Sequence, residues 1–272
     1  MKTPHYLIVA SLLLLGFWNT EVFAQVECTG QGNLRGIRVD GELMAFSTSI
    51  RAVFATAADA GQGGRGGDGG QFSRDGDALT VTGSLTGGGG RGGGFGGGFG
   101  GGRGRGGAPI AGASYRAVFK DAAPGTVDAE IQISATTNIA MQGVFFAITL
   151  PDADYAGGSA QWISPTSGTE ASVSLARSRS ASTNFNLHAS AKGVRLTSAR
   201  RQIELNFPTP IELAIRDART RDNSSIEISF PVSLGDLTNG QSVHAAFTIK
   251  ATGDVDKSPA TLAIDLDRKS VV

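Results

Sequence analysis

Along most of this chain apolar and polar residues alternate in short segments, each closed by Gly, Pro, Asn or Asp. In Glu130-Ile131-Gln132-Ile133 and Ile226-Glu227-Ile228-Ser229-Phe230 the apolar residues fall on every second position. A period of two sends one side of an extended segment into a core and the other into water. Read this way, strands are expected over 37–39 and 42–46, joined at Asp40-Gly41, a dipeptide favoured in two-residue hairpin turns. Further strands are expected over 78–85, 115–119, 127–135, 143–150, 171–175, 193–197, 202–207, 211–215, 225–230, 242–249 and 261–266. The run 143–150 is almost continuously apolar and stops at Pro151, which predicts a central strand covered on both faces.

No stretch sustains the three-and-four spacing of an amphipathic helix. The nearest candidate, 187–191, is too short and too polar, so at most one short helix is expected. About a dozen strands separated by turn signals predict an all-β fold of two packed, mainly antiparallel sheets, a supersandwich, with a closed barrel as the competing arrangement.

Two glycine tracts, 61–70 and 87–107, break the pattern, the second containing RGGGFGGGFGGGRGRGG. With almost no side chains to bury and the largest backbone entropy to lose, such tracts form no core. They are expected as flexible loop insertions over 61–71 and 86–113. Between them Ser73-Arg74-Asp75-Gly76-Asp77 reads as a turn.

The first residues read differently. Lys2 gives a basic start, an apolar run follows over 6–17, and Val22-Phe23-Ala24 ends it with a small residue. That is the pattern of a secretory signal cut between Ala24 and Gln25. The run is shorter than the roughly 20 residues a bilayer span needs, so no stable membrane span is expected after cleavage. The organisation expected is therefore a signal peptide over 1–24, a β-sandwich domain over 25–267, and a tail or the start of a following region over 268–272. The expected location is exported, periplasmic or extracellular. The single cysteine, Cys28, stands too far past the cleavage site for a lipid anchor and cannot form an internal disulfide, so stability must come from packing.

Lys plus Arg equals Asp plus Glu at 24 each, which removes any global field toward nucleic acid or an anionic membrane. The Arg-Gly-Gly and Phe-Gly-Gly repeats invite comparison with RNA-binding tails. Few arginines and electroneutrality argue for a loop, and no nucleic-acid partner is expected.

Three phrases of the sequence, NLRGIRVDGELMAFSTSI at 33–50, YRAVFKDAAPG at 115–125 and GVFFAITLPDADYAGG at 143–158, resemble the amino-terminal β-supersandwich region of large exported bacterial proteins of the glycoside hydrolase type. The resemblance spans most of 33–267 and is one of strand phrases, with no catalytic motif in it. It implies an accessory module that packs on a catalytic domain or touches glycan, any hydrolase activity lying outside this chain. Polysaccharide or an adjoining catalytic domain is then the expected partner. The alternative is a structural or adhesive cell-surface module that binds protein partners.

The chemistry-bearing residues are few. Past the signal only His188 and His244 remain, with no metal-ligand spacing between them. Asp75, Asp77, Asp152, Asp154, Glu204 and Glu212 supply carboxylates, yet each falls in an expected turn or on a wet strand face, and none is marked as half of a glycosidase pair. Asp75-Gly76-Asp77 and Asp152-Ala153-Asp154 have the alternate spacing of calcium ligands and do not continue into the rest of such a loop. No catalytic residue, metal site or cofactor is assigned. For ligand binding the candidates are Trp162 and the nearby Tyr155, whose rings are able to lie against a sugar face at one edge of the sandwich, with a core plug as the equally simple account of Trp162.

Overall fold

The computed structural model describes residues 25–29, 33–39, 41–54, 70–86, 109–166, 172–177, 185–219 and 225–253. Three short strands, β1 (Val26–Cys28), β2 (Leu34–Val39) and β3 (Glu42–Ala45), form an antiparallel sheet in that order. The β2–β3 hairpin is the one expected around Asp40-Gly41, with Val39 opposite Glu42 and Gly41 at φ 81°.

The remaining strands join one strongly branched sheet. In chain order they are β4 (Ser47–Val53), β5 (Gln71–Asp75), β6 (Ala78–Thr86), β7 (Pro109–Ala123), β8 (Thr126–Ala135), β9 (Gly143–Pro151), β10 (Ser159–Pro165), β11 (Ser172–Ser174), β12 (Asn186–Thr197), β13 (Arg201–Asp217), β14 (Ser225–Leu234) and β15 (Ser242–Gly253). One helical turn, α1 (Asp152–Tyr155), interrupts them, in line with the expectation of at most one short helix.

Every pairing among the described strands is antiparallel, and the order in space is β11-β10-β12-β13-β15-β8-β7-β6-β5. A second arm leaves from β13 through β14 and β9 to β4. The fold is thus the expected all-β, sandwich-like one. Its two arms share β13: residues 201–206 pair with β15 in the first arm, and 214–217 pair with β14 in the second.

The sequence expected β13 as two strands broken near Pro208 and Pro210. The structure makes it one strand of 17 residues. Residues 207–210 fall between its ladders: the pairing with β15 ends at Asn206, that with β14 begins at Ala214, and the register with β12 jumps between Gly193 and Ala191. A proline removes no ladder hydrogen bond where no ladder runs, so both are accommodated at the crossing.

The interior lies between the arms. Phe146 of β9 and Phe230 of β14 meet Phe207 of β13 and Phe247 of β15, with ring centroids 4.8 to 5.6 Å apart. Such tilted and edge-on pairs add to the area they bury, by about 0.5–1.5 kcal/mol each. As expected, β9 is covered on both sides, with Val144, Phe146, Ile148 and Leu150 facing the core and Ala147 and Thr149 also buried.

Several boundaries differ from the sequence reading. Pro109 already begins β7 and Gln71 begins β5, inside the segments expected as loops, and the turn after β5 is confined to Gly76 and Asp77. Residues 187–191 belong to β12, where Ala189 and Ala191 point inward and His188 outward. The expected signal, the bulk of both glycine tracts and the expected strand over 261–266 lie outside the described residues.

Candidate functional site

On β7, β8 and β15 the residues facing away from the core are Val118 and Lys120, Asp128 and Glu130, and Ala246 and Thr248. The antiparallel register sets them in cross-strand rows. Lys120 stands opposite Asp128, Asp128 opposite Thr248, and Thr248 opposite Asn206 of β13. In the next row Val118 faces Glu130 and Glu130 faces Ala246, and there the sheet forks, because β13 has left to join the other arm. Asn206, Phe207 and Pro208 on one side of the fork and Ala246, Phe247 and Thr248 on the other border an open groove of about 590 Å³. Below it the Phe207 and Phe247 rings stack at 5.6 Å.

The polar groups along this groove are held in place by neighbours. Thr248 Oγ1 donates to Asp128 Oδ1 at 3.0 Å. Asn206 Nδ2 donates to Glu204 Oε1 at 2.7 Å, and Arg195 Nε donates to Glu204 Oε2 at 2.6 Å. Burial pushes the Glu204 carboxyl up, but the hydrogen bonds from Asn206 and Arg195 and the charges of Arg195 and Lys250 outweigh it and hold the group below the usual carboxylate range. Lys120 reaches Asp77 at 3.7 Å, and His244 reaches Glu130 at 3.7 Å with both side chains more than half exposed. An exposed pair of this kind contributes little to stability, which leaves Glu130 and Lys120 available to a ligand. A row of carboxylate, hydroxyl, carboxamide and ammonium groups beside the apolar Val118, Ala246 and Pro208 suits a molecule that is polar at its rim and apolar on a face.

The residues singled out from sequence lie elsewhere. Trp162 is 5% exposed on the inward side of β10 and Tyr155 is 2% exposed in α1. Trp162 takes the core position that was the alternative for it, and neither ring offers a face to solvent. Burial first, with Asp154 adding and Arg201 opposing, raises the Tyr155 phenol far above its ordinary value.

Asp154 pairs with Arg201 at 3.2 Å, and Arg201 also reaches Glu42 at 3.1 Å, tying α1 and β3 to the start of β13. Asp77 is in the Lys120 pair, while Glu212 and His188 are exposed on strand faces. Asp75 ends β5, and among the described residues no group of three His, Cys, Asp or Glu side chains is placed to hold a metal ion. Burial pushes the Cys28 thiol up, with Arg74 opposing.

A carboxyl the sequence did not single out stands on the other arm. Glu227 of β14 is 1% exposed, and its Oε1 accepts from Arg216 Nη2 at 3.1 Å. Burial, only partly offset by Arg216 and Arg51, pushes this carboxyl up to about 7. Sequence alternation placed Glu227 on a wet face, whereas the structure buries it beside Arg216 and Arg51. Asp128 and Glu130 looked like any solvated carboxylates, since nothing along the chain marks where β13 parts from β15.

A two-armed, antiparallel β-sandwich with an open groove at the fork defines the class of fold. Among solved structures the chain is similar to a galactose mutarotase-like protein from Lactobacillus casei, with 10% identity and a TM-score of 0.54 over 84% of this chain and 96% of that one. It is also similar to a galactose mutarotase related enzyme from Lactobacillus acidophilus, with 9% identity and a TM-score of 0.53 over 85% and 95%. At these identities the likeness is one of fold. No protein-family profile and no curated protein sequence matches the chain.

Proposed function

We propose that this chain is a non-catalytic, carbohydrate-contacting β-sandwich of an exported protein, holding glycan in the groove at its fork or serving a catalytic domain beside it. The observation that carries the reading is the row Lys120, Asp128, Thr248 and Asn206, which offers charged and neutral hydrogen-bonding groups at strand spacing next to a small apolar floor. Sugar hydroxyls need that mixture of donors and acceptors, and sugar C–H faces need the apolar part. The fold shared with galactose mutarotase-like proteins supports a sugar ligand by analogy. The leader-like residues 1–24 support export. Binding is the reading taken because Asp128 and Glu204 are already hydrogen-bonded to Thr248, Asn206 and Arg195, which leaves Glu130 as the groove carboxylate open to a ligand.

The test is retention of residues 25–272 on a panel of insoluble polysaccharides, beside Asp128→Ala and Asn206→Ala variants whose melting is checked first. Retention by the parent is expected on at least one polymer, weakened about fivefold or more in each variant, as loss of about 1–3 kcal/mol of hydrogen bonding requires. No retention on any polymer, or equal retention by all three proteins, overturns the reading and leaves a structural or adhesive role toward protein partners.

A further inference from the structure

The first described residue, Gln25, is fixed at three points. Its backbone N–H donates to Asp121 Oδ2 at 2.9 Å, its carbonyl accepts from Arg38 N at 2.6 Å, and its side-chain Oε1 accepts from Gly125 N. The next residue repeats the first contact, Val26 N donating to Asp121 Oδ1 at 3.2 Å. Both oxygens of one carboxylate therefore receive the first two N–H groups of the sandwich. The Asp121 side chain is 1% exposed, on β7, and its one charged neighbour among the described ion pairs is Arg74, 3.6 Å away on β5 and itself bonded to Val26 O.

The buried Asp121 carboxylate thus has two neutral backbone N–H groups in hydrogen-bond contact, while the Arg74 guanidinium stands farther off at 3.6 Å. The carboxylate is better matched if the Gln25 nitrogen carries a charge. Cleavage between Ala24 and Gln25, the cut the signal pattern predicts, converts that nitrogen from an amide into an α-ammonium. We infer that Asp121 is the receptor for the new amino terminus, so that removal of the leader completes an ion pair between the Gln25 α-ammonium and the Asp121 carboxylate and locks β1 onto β7. The inference rests on the export reading above and is independent of the glycan.

The same pairing bears on a chemical fate of the terminus. A free amino-terminal glutamine cyclises when the unprotonated α-nitrogen attacks its own side-chain Cδ; the N–Cδ bond forms, one proton passes from the α-nitrogen to Nε2, the Cδ–Nε2 bond breaks and ammonia leaves. An amine held as ammonium has no lone pair to attack with, and each unit by which its pKa rises cuts the reactive fraction about tenfold.

The chain is expressed with its own leader in a bacterial host, recovered after export, and its first residue read by sequencing. Gln25 is expected; retention of residues 1–24, or a start elsewhere, overturns the export reading and the inference together. Melting of this mature chain is then compared with a chain carrying two extra residues before Gln25, each with and without Asp121→Asn. The mature chain is expected to melt higher by about 2–4 °C, the shift that roughly 1 kcal/mol makes in a protein of this size, and the substitution is expected to erase the difference. Equal melting of mature and extended chains, or a difference that survives the substitution, overturns the inference and leaves export standing. A second readout needs no variant: intact mass is followed for ammonia loss from the mature chain, native and in denaturant. Slower loss in the native state, by about tenfold or more, is expected; equal rates overturn the inference.

Discussion

Thr86 and Pro109 face each other across the β6–β7 ladder, although residues 87–108 separate them in sequence. The glycine-rich segment therefore stands in sequence between two strands that pair with each other. The strands on either side, which the sequence could not place as neighbours, are neighbours.

Replacing residues 87–107 by Asn-Gly is expected to leave the fold intact and the melting temperature unchanged or slightly raised. Thr86 and Pro109 already pair, past a register break after Ser84, so a short turn of Asn, Gly and the retained Ala108 is enough to join them. Each halving of loop length removes only about 0.6 kcal/mol of closure entropy, so the gain is small. A thermal melt checks this. A large fall would mean that the tract packs on the sandwich.

Glu227 sets a pH dependence with a definite sign. Its carboxyl titrates near 7 when folded and near 4.5 as the reference group, so between those values the folded state binds the extra proton. Stability contributed in this way is present below about 4.5 and is lost as pH rises through about 7. The loss is on the order of 3 kcal/mol for a shift of that size. Denaturant unfolding of the parent and of Glu227→Gln from pH 5 to 8 measures it. The parent is expected to weaken toward pH 8 relative to the variant, the two curves converging toward pH 5. Parallel curves would show that the buried carboxyl is not the source.

Gly193 of β12 stands opposite Asn206, and a Cβ at this position would sit 2.2 Å from the Leu205 carbonyl oxygen and 3.2 Å from Asn206 Oδ1. The backbone of β13 would have to move to admit it. Gly193→Ala is expected to cost about 1–3 kcal/mol in urea unfolding, the usual range for overpacking. It should also weaken glycan retention, because the displaced side chain is the one that borders the groove. A variant with unchanged stability would show that the fork has slack the geometry does not reveal.

The strands were legible where one face is apolar and the other is not. Alternation in β8 and β14, the closed hairpin of β2 and β3, and the continuous apolar run of β9 carry their own local signal. β4, with the sequence STSIRAV, and β10, with SAQWISP, do not. Their apolar positions are few, and partners far along the chain decide their state. β12 was missed over 187–191 for the same reason: Ala189 and Ala191 bury little surface alone and gain it only between β10 and β13.

The groove was not legible at all. It depends on β13 parting from β15 after Asn206, a relation between residues 201–217 and 242–253 that no local pattern encodes. Trp162 drew attention as a large aromatic among turn signals. The structure spends it on the inward face of β10, where an indole buries the most surface.

The place of β15 in the middle of its sheet has a kinetic side. It is the last described strand in sequence, yet β8 and β13 flank it, and those two do not pair with each other. Until residue 253 is available, a chain growing from its amino end holds two open strand edges with a gap one strand wide between them. Closing that gap brings together segments more than a hundred residues apart, Val127 with Ile249 among them. Such long-range pairings are the slow kind. Connectivity therefore lets hairpins β6–β7–β8 and β12–β13 form early and leaves β15, the last described strand, to enter its sheet at the centre.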